Sequence, residues 1–228
     1  AKPRISFSEM EKYYLDQYFM SGGKLIWLID PIIAEMDSIG KYEIIMTADY
    51  QLNITDQLFK YGVRVNPDIV QDIQCHVIPI LANFMGGQPT QELVPWIYYP
   101  IITHGSENAM VRNVDPVLLN FPASIDTLAK EGVKKTVLLK TSKFSRISSN
   151  PARVDLGIVQ VKPDPRYFTK PSQITGVMLE GKFESAFKGR NTVQFDPIFK
   201  LIEKTDSNKM LVISDGDLIR NQIKKGTG

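Results

Sequence analysis

The chain has 228 residues, 43% of them hydrophobic and 23% charged, enough length to bury a core and too apolar for a disordered chain. A formal net charge of +2 speaks against a nucleic-acid binder, which relies on a concentrated cationic surface. The one cysteine, Cys75, excludes an internal disulfide and a cysteine-based metal cluster. The sequence has no run of about 18 apolar residues that would span a bilayer, and no signal peptide.

Ser8 followed three residues on by Glu11 predicts a capping box and a helix over 8–20. At 3.6 residues per turn, Met10, Tyr14, Leu15, Tyr18 and Phe19 fall on one broad side of it. Ser21-Gly22-Gly23 stops the helix, and Leu25 to Ile29 then runs without polar alternation, as a strand buried on both faces does. Such strands belong to parallel sheets with helices on either side, and Asp30-Pro31 would lie at the carboxyl end where ligands sit. A short helix is expected over 32–39 and a strand over 42–47. Asn53 is read as the cap of a helix that Gly62 closes, and short strands are expected over 63–65 and 69–73.

The character changes after Gln74. Two apolar segments interrupted by prolines, 77–81 and 93–99, read as edge strands or extended arms, since proline cannot donate to a ladder. Gly86 to Pro89 reads as the loop between them, and a polar stretch follows at 104–108. Strands are expected over 117–121 and 133–139, a serine-rich polar loop over 141–151, a proline-marked loop over 163–171 and a strand from Gly176. Asp196-Pro197 signals a helix start. Met210 to Ile213 is a buried strand, 214–217 its carboxyl-end loop, and 218–225 a final helix. Apolar strands and helices at both ends around β-rich sequence predict an α/β fold. Its mostly parallel sheet would be flanked by helices, within one domain spanning 1–228 and elaborated at about 76–190.

The candidate chemistry is sparse. Cys75-His76 lacks the strand-to-helix elbow of a nucleophile, so the thiol reads as a small packing residue. Asp30, Asp215 and Asp217 each follow an apolar strand. If those strands are neighbours, the three carboxylates converge at the sheet edge and could bind a ligand or Mg²⁺. The competing reading gives Asp217 a helix to cap and Asp30 a turn. There is no glycine-rich phosphate loop and no HExxH, so neither a nucleotide cofactor nor zinc is expected. Lys134 to Arg146 carries a modest basic run, read as a solvated face. Trp96, Tyr98 and Tyr99, set among prolines, could anchor a protein partner or pack a core.

Several long segments resemble one known family. Residues 13–31 (YYLDQYFMSGGKLIWLIDP), 52–75, 94–100 (VPWIYYP), 113–128, 177–190 and 211–221 (LVISDGDLIRN) together are similar to GldG, the gliding-motility-associated auxiliary proteins of ABC transporters. The resemblance implies an amidotransferase- or flavodoxin-like α/β fold. It also implies a non-catalytic domain at the periplasmic face of the inner membrane, anchored through the rest of its protein and acting with a permease and an ATPase subunit. No cofactor, catalytic residue or nucleic-acid partner comes with it. It further implies sequence beyond both ends of the chain, with a strand before Ala1. The alternative is a degenerate amidotransferase-like or carbohydrate-binding domain with its site near Asp30 and Asp215. A two-lobed solute-binding protein is disfavoured, because the chain is short and shows no hinge-separated lobes.

Overall fold

The computed structural model describes residues 2–85, 88–103, 108–191 and 200–220. In chain order the first elements are α1 (Glu9–Met20), β1 (Leu25–Leu28), β2 (Ile32–Ile33), α2 (Met36–Tyr42), β3 (Ile44–Met46), β4 (Ala48–Asp49) and α3 (Thr55–Tyr61). Then come β5 (Val63–Val65), β6 (Asp68–Asp72), β7 (Cys75–Met85), β8 (Gln88–Ile102), β9 (Val117–Leu118) and β10 (Ile125–Thr127). The rest is β11 (Val133–Lys140), β12 (Ser145–Ser149), β13 (Arg153–Asp155), two 3₁₀ turns, β14 (Ile174–Glu184) and β15 (Lys204–Ile213).

The largest sheet has four strands in the order β1-β15-β14-β11. Only β1 and β15 run parallel; every other pairing among the described residues is antiparallel. The expected mostly parallel, flavodoxin-like α/β sheet is therefore wrong, and the fold is β-rich with one mixed sheet and several small antiparallel ones. The physical reason lies in β14. Val177 and Leu179 pack one face of the sheet and Met178 the other. A central strand is apolar on both sides whichever way its neighbours run, so burial carries no information about direction.

Among the described residues the apolar side chains form three larger clusters and a small one at Tyr13, Ala186 and Phe187. On one face of the four-stranded sheet α1 and α3 bring Phe19, Leu58 and Tyr61 against Trp27, Val177, Leu179 and Val212. On the other, Leu28, Met178 and Ile213 meet Ile102 of the hairpin sheet β7-β8-β9 and Leu119, which follows β9. The third lies at the hairpin's base, where Ile78, Val94, Trp96 and Tyr98 pack with Ile69, Val154 and Phe168. Beyond Ile78 and Val94 the hairpin leaves that core, and Pro79, Leu81 and Leu93 lie exposed on one of its faces.

Local signals behave as the sequence predicts where the cause is local. Ser8 and Glu11 form the capping box. Gly62 ends α3 with φ +102°, a left-handed conformation that glycine adopts without a Cβ penalty. Elsewhere tertiary contacts decide. The apolar stripe of α1 is turned to solvent at Met10, Tyr14 and Tyr18, while Lys12, Tyr13, Asp16, Phe19 and Met20 are buried. The two charged residues are tolerated there because each is paired. Lys12 Nζ lies 2.8 Å from Glu9 and Asp56, and Asp16 accepts four hydrogen bonds.

Asn53 does not cap α3; it takes φ +55° and donates to the Phe7 carbonyl. The polar 141–151 segment contains β12, which pairs with β6 through its backbone, with Arg146 stacked over the Phe168 ring at 4.8 Å. The stretch expected as a helix at 32–39 begins as β2, and the strand expected over 117–121 ends at Leu118. Gln88 and Pro89 belong to β8, while Gly86 and Gly87 lie outside the described residues, as do 104–107 of the polar stretch. The helix start at Asp196-Pro197 and residues 221–225 of the final helix also lie outside them; Leu201 and Ile202 are irregular, and 218–219 form a turn.

Candidate functional site

The parallel pairing of β1 with β15 sets Leu28 beside Ile213, so both strands end at the same level and their loops emerge side by side. That register brings together Asp30, Asp215 and Asp217, the three carboxylates singled out from the sequence. Asp30 Oδ1 accepts the Gly216 N–H at 2.6 Å, tying one loop to the other. Asp215 is fully buried; its Oδ1 accepts the Asp217 N–H and its Oδ2 the Asn120 N–H, both at 2.7 Å.

The cation among them comes from the chain itself. Lys2 Nζ lies 2.7 Å from Asp30 Oδ2 and 2.8 Å from Asp217 Oδ2. Its stem passes so close to Gly216 that a Cβ at that position would sit 2.7 Å from the Lys2 Cβ, which is why the loop needs glycine there. Arg4 binds Glu35 at 2.8 Å on the outer side, and Arg220 reaches Asp217 at 3.6 Å. Burial alone would depress the Lys2 ammonium, but Asp30 and Asp217 outweigh it and raise its pKa. Burial pushes the Asp30 carboxyl up against the pull of Lys2. Asp215 is pushed up to about 7, mainly by burial, with Asp30 and Asp217 adding to the effect against its two backbone hydrogen bonds.

The cluster is thus a closed clasp. Its ammonium occupies the position a bound cation would take, and no group of three or more His, Cys, Asp or Glu among the described residues is arranged to hold a metal. Lys2 escaped sequence reasoning because its partners lie 28 and 215 positions away; no local pattern marks it. We expect Lys2→Met to cost about 3 kcal/mol, because the buried Asp30 and the half-buried Asp217 lose their cation. Asp30, already raised, would rise further. A carboxyl whose folded pKa is raised costs stability as pH climbs above its unfolded value, so the deficit should be larger at pH 8 than at pH 5. Urea unfolding at both pH values measures this; an equal loss at both would refute the pairing.

The aromatic candidates sit elsewhere. Trp96 is 0% and Tyr98 2% exposed, with ring centroids 4.8 Å apart inside the hairpin-base core. Both side chains pack in that core. Tyr99 is half-buried, edge-on to Phe121 at 5.2 Å. Burial, with Asp217 and Asp215 nearby, pushes its phenol up to about 12. The Cys75 thiol opens β7, and burial pushes it up to about 11, so it is not a thiolate nucleophile at neutral pH. A mainly apolar cavity of about 160 Å³ adjoins the clasp beneath α3, between Ile29, Leu52, Leu58 and Val65.

Fold and site define an α+β domain whose buried ionic groups hold loops together, with a long hairpin extending from the core at its base. The chain belongs, over residues 1–228, to the family described as an ABC-type uncharacterized transport system, whose members are auxiliary proteins of such systems. No curated protein matches it.

Proposed function

We propose that this chain is a non-catalytic domain of a membrane-anchored auxiliary protein. It stands at the periplasmic face of the inner membrane and binds a protein partner, the permease of an ABC transporter whose ATPase subunit completes the complex. The observation that carries this reading is the family match over residues 1–228. No helix of the described residues is long and apolar enough to cross a membrane, so in this reading the anchor belongs to the rest of the protein. The segments similar to GldG, such as 13–31 and 211–221, supply the link to gliding motility. Two features favour partner binding over turnover: Lys2 occupies Asp30 and Asp217 in the clasp, and the hairpin exposes Leu81 at 75% and Leu93 at 65%.

The test is affinity purification of the full-length, membrane-embedded protein. The permease should come with the unaltered protein and be lost from the Leu81→Ser/Leu93→Ser variant, while circular dichroism of that variant stays unchanged. Turnover of glutamine, an ester or a glycoside that Cys75→Ala or Asp215→Ala abolished would overturn the reading, as would a full-length protein that always purifies alone.

A further inference from the structure

Residues 119–123 form the strip between the hairpin sheet and the four-stranded sheet, and their N–H groups are divided between the two. Leu119 and Phe121 donate to the β8 carbonyls of Pro100 and Tyr98, at 3.1 and 2.9 Å. Asn120 donates to Asp215 Oδ2 at 2.7 Å, and Ala123 to the Ser214 carbonyl at 3.1 Å. Ser214 Oγ returns a hydrogen bond to the Ala123 carbonyl. One side of this seam thus rests on the Asp215 carboxyl.

The groups facing that carboxyl are mostly acidic. Asp30 faces it from the loop after β1, Asp217 from its own loop and Tyr99 from β8. Lys2, from the N-terminal segment, is engaged by Asp30 and Asp217. Two of the three carboxylates share one half-buried ammonium, and Asp215 has no cation among its partners. Ionised in place, it is a desolvated charge beside two others, and water reaches it only if the seam opens.

We propose that Asp215 is a proton-responsive latch between the two sheets, closed when its carboxyl is protonated and loosened when it ionises. The sign follows from linkage. The closed seam holds the proton more tightly than an opened, hydrated one, so protons favour closure, and rising pH favours opening from the ordinary carboxyl range up to about 7. The fall in charge repulsion on protonation acts in the same direction, and one carboxyl oxygen remains a strong acceptor for a backbone N–H.

Amide hydrogen exchange of the chain tests this, with the rate at Asn120 and Ala123 corrected for intrinsic base catalysis and followed from pH 5 to pH 9. Protection at these amides should fall about a hundredfold between pH 5 and pH 8, steeply at first and levelling off at a break near neutrality. Amides of α1 should show no such fall. Asp215→Asn should abolish it. Asp217→Asn, which removes a neighbouring negative charge, should move the break to lower pH, and this variant decides the question even if Asp215→Asn fails to fold. Protection that does not change with pH in the unaltered chain would overturn the proposal. So would a fall that survives Asp215→Asn, or a break that Asp217→Asn leaves in place or raises.

Discussion

Asp16→Ala is expected to remove about 3–5 kcal/mol from the free energy of unfolding. Asp16 is 0% exposed on the inner face of α1. Its Oδ1 accepts from the Tyr61 hydroxyl at 2.7 Å and the Ala186 N–H at 2.8 Å. Its Oδ2 accepts from Ser185 Oγ at 2.6 Å and from Gln17 at 2.8 Å. One side chain thereby fastens α1 to the end of α3 and to the turn after β14. Alanine would strand those donors away from water, and the cost of an unmade buried hydrogen bond exceeds the net gain of a made one.

Against a total stability of about 5–15 kcal/mol for a domain, such a loss brings the chain close to unfolding at 37 °C. Urea denaturation should show a lower midpoint with an unchanged slope. Asn at this position keeps one acceptor oxygen but turns an N–H₂ group towards donors, so it should recover only part of the loss. An alanine variant within about 0.5 kcal/mol of the unaltered chain would show that these bonds do not hold the helix in place.

Trp96→Ala should cost about 3–5 kcal/mol through the cavity it leaves. The indole is fully buried between β8 neighbours and the elements behind the hairpin, and its Nε1 has no hydrogen-bond partner. Its contribution is therefore packing alone, and Trp96→Phe should keep most of it, losing about 1–2 kcal/mol. The measurement separates two roles for the same residue. A partner anchor would lose binding in the full-length protein at unchanged stability. A core residue loses stability first, and any loss of binding follows the fraction unfolded. Thermal unfolding of the isolated chain beside co-purification of the full-length variant distinguishes them.

The same contrast bears on how the domain would serve a transporter. The hairpin is packed at its base, where Trp96 and Tyr98 are buried in the hairpin-base core, and its outer face carries Leu81 and Leu93 in solvent. The seam at 119–123 links that base to the four-stranded sheet. A partner held by the hairpin would therefore be coupled mechanically to the β1 and β15 loops, and Asp215 sits in that coupling.

What the sequence determined was whatever depends on neighbours in the chain. The Ser8–Glu11 capping box, the glycine stop at Gly62 and the apolar strands at 25–28 and 210–213 all have causes within a few residues. The convergence of Asp30, Asp215 and Asp217 was legible as a condition on those two strands being adjacent, and they are. What only the tertiary structure decided was direction, orientation and charge balance. An apolar run is the same in parallel and antiparallel pairing, so β14 and β11 could not be assigned a direction. Nor does it ensure burial on both faces: β1, read as buried on both, is an edge strand with Ile26 65% exposed. Hydrophobic periodicity placed Met10, Tyr14 and Tyr18 inward, whereas the helix buries Lys12 and Asp16, because charges with partners supplied by distant elements can go inside. The clasp itself depended on Lys2, separated from Asp217 by 215 positions; such a pairing exists only once the chain has folded, since nothing near either residue favours it beforehand.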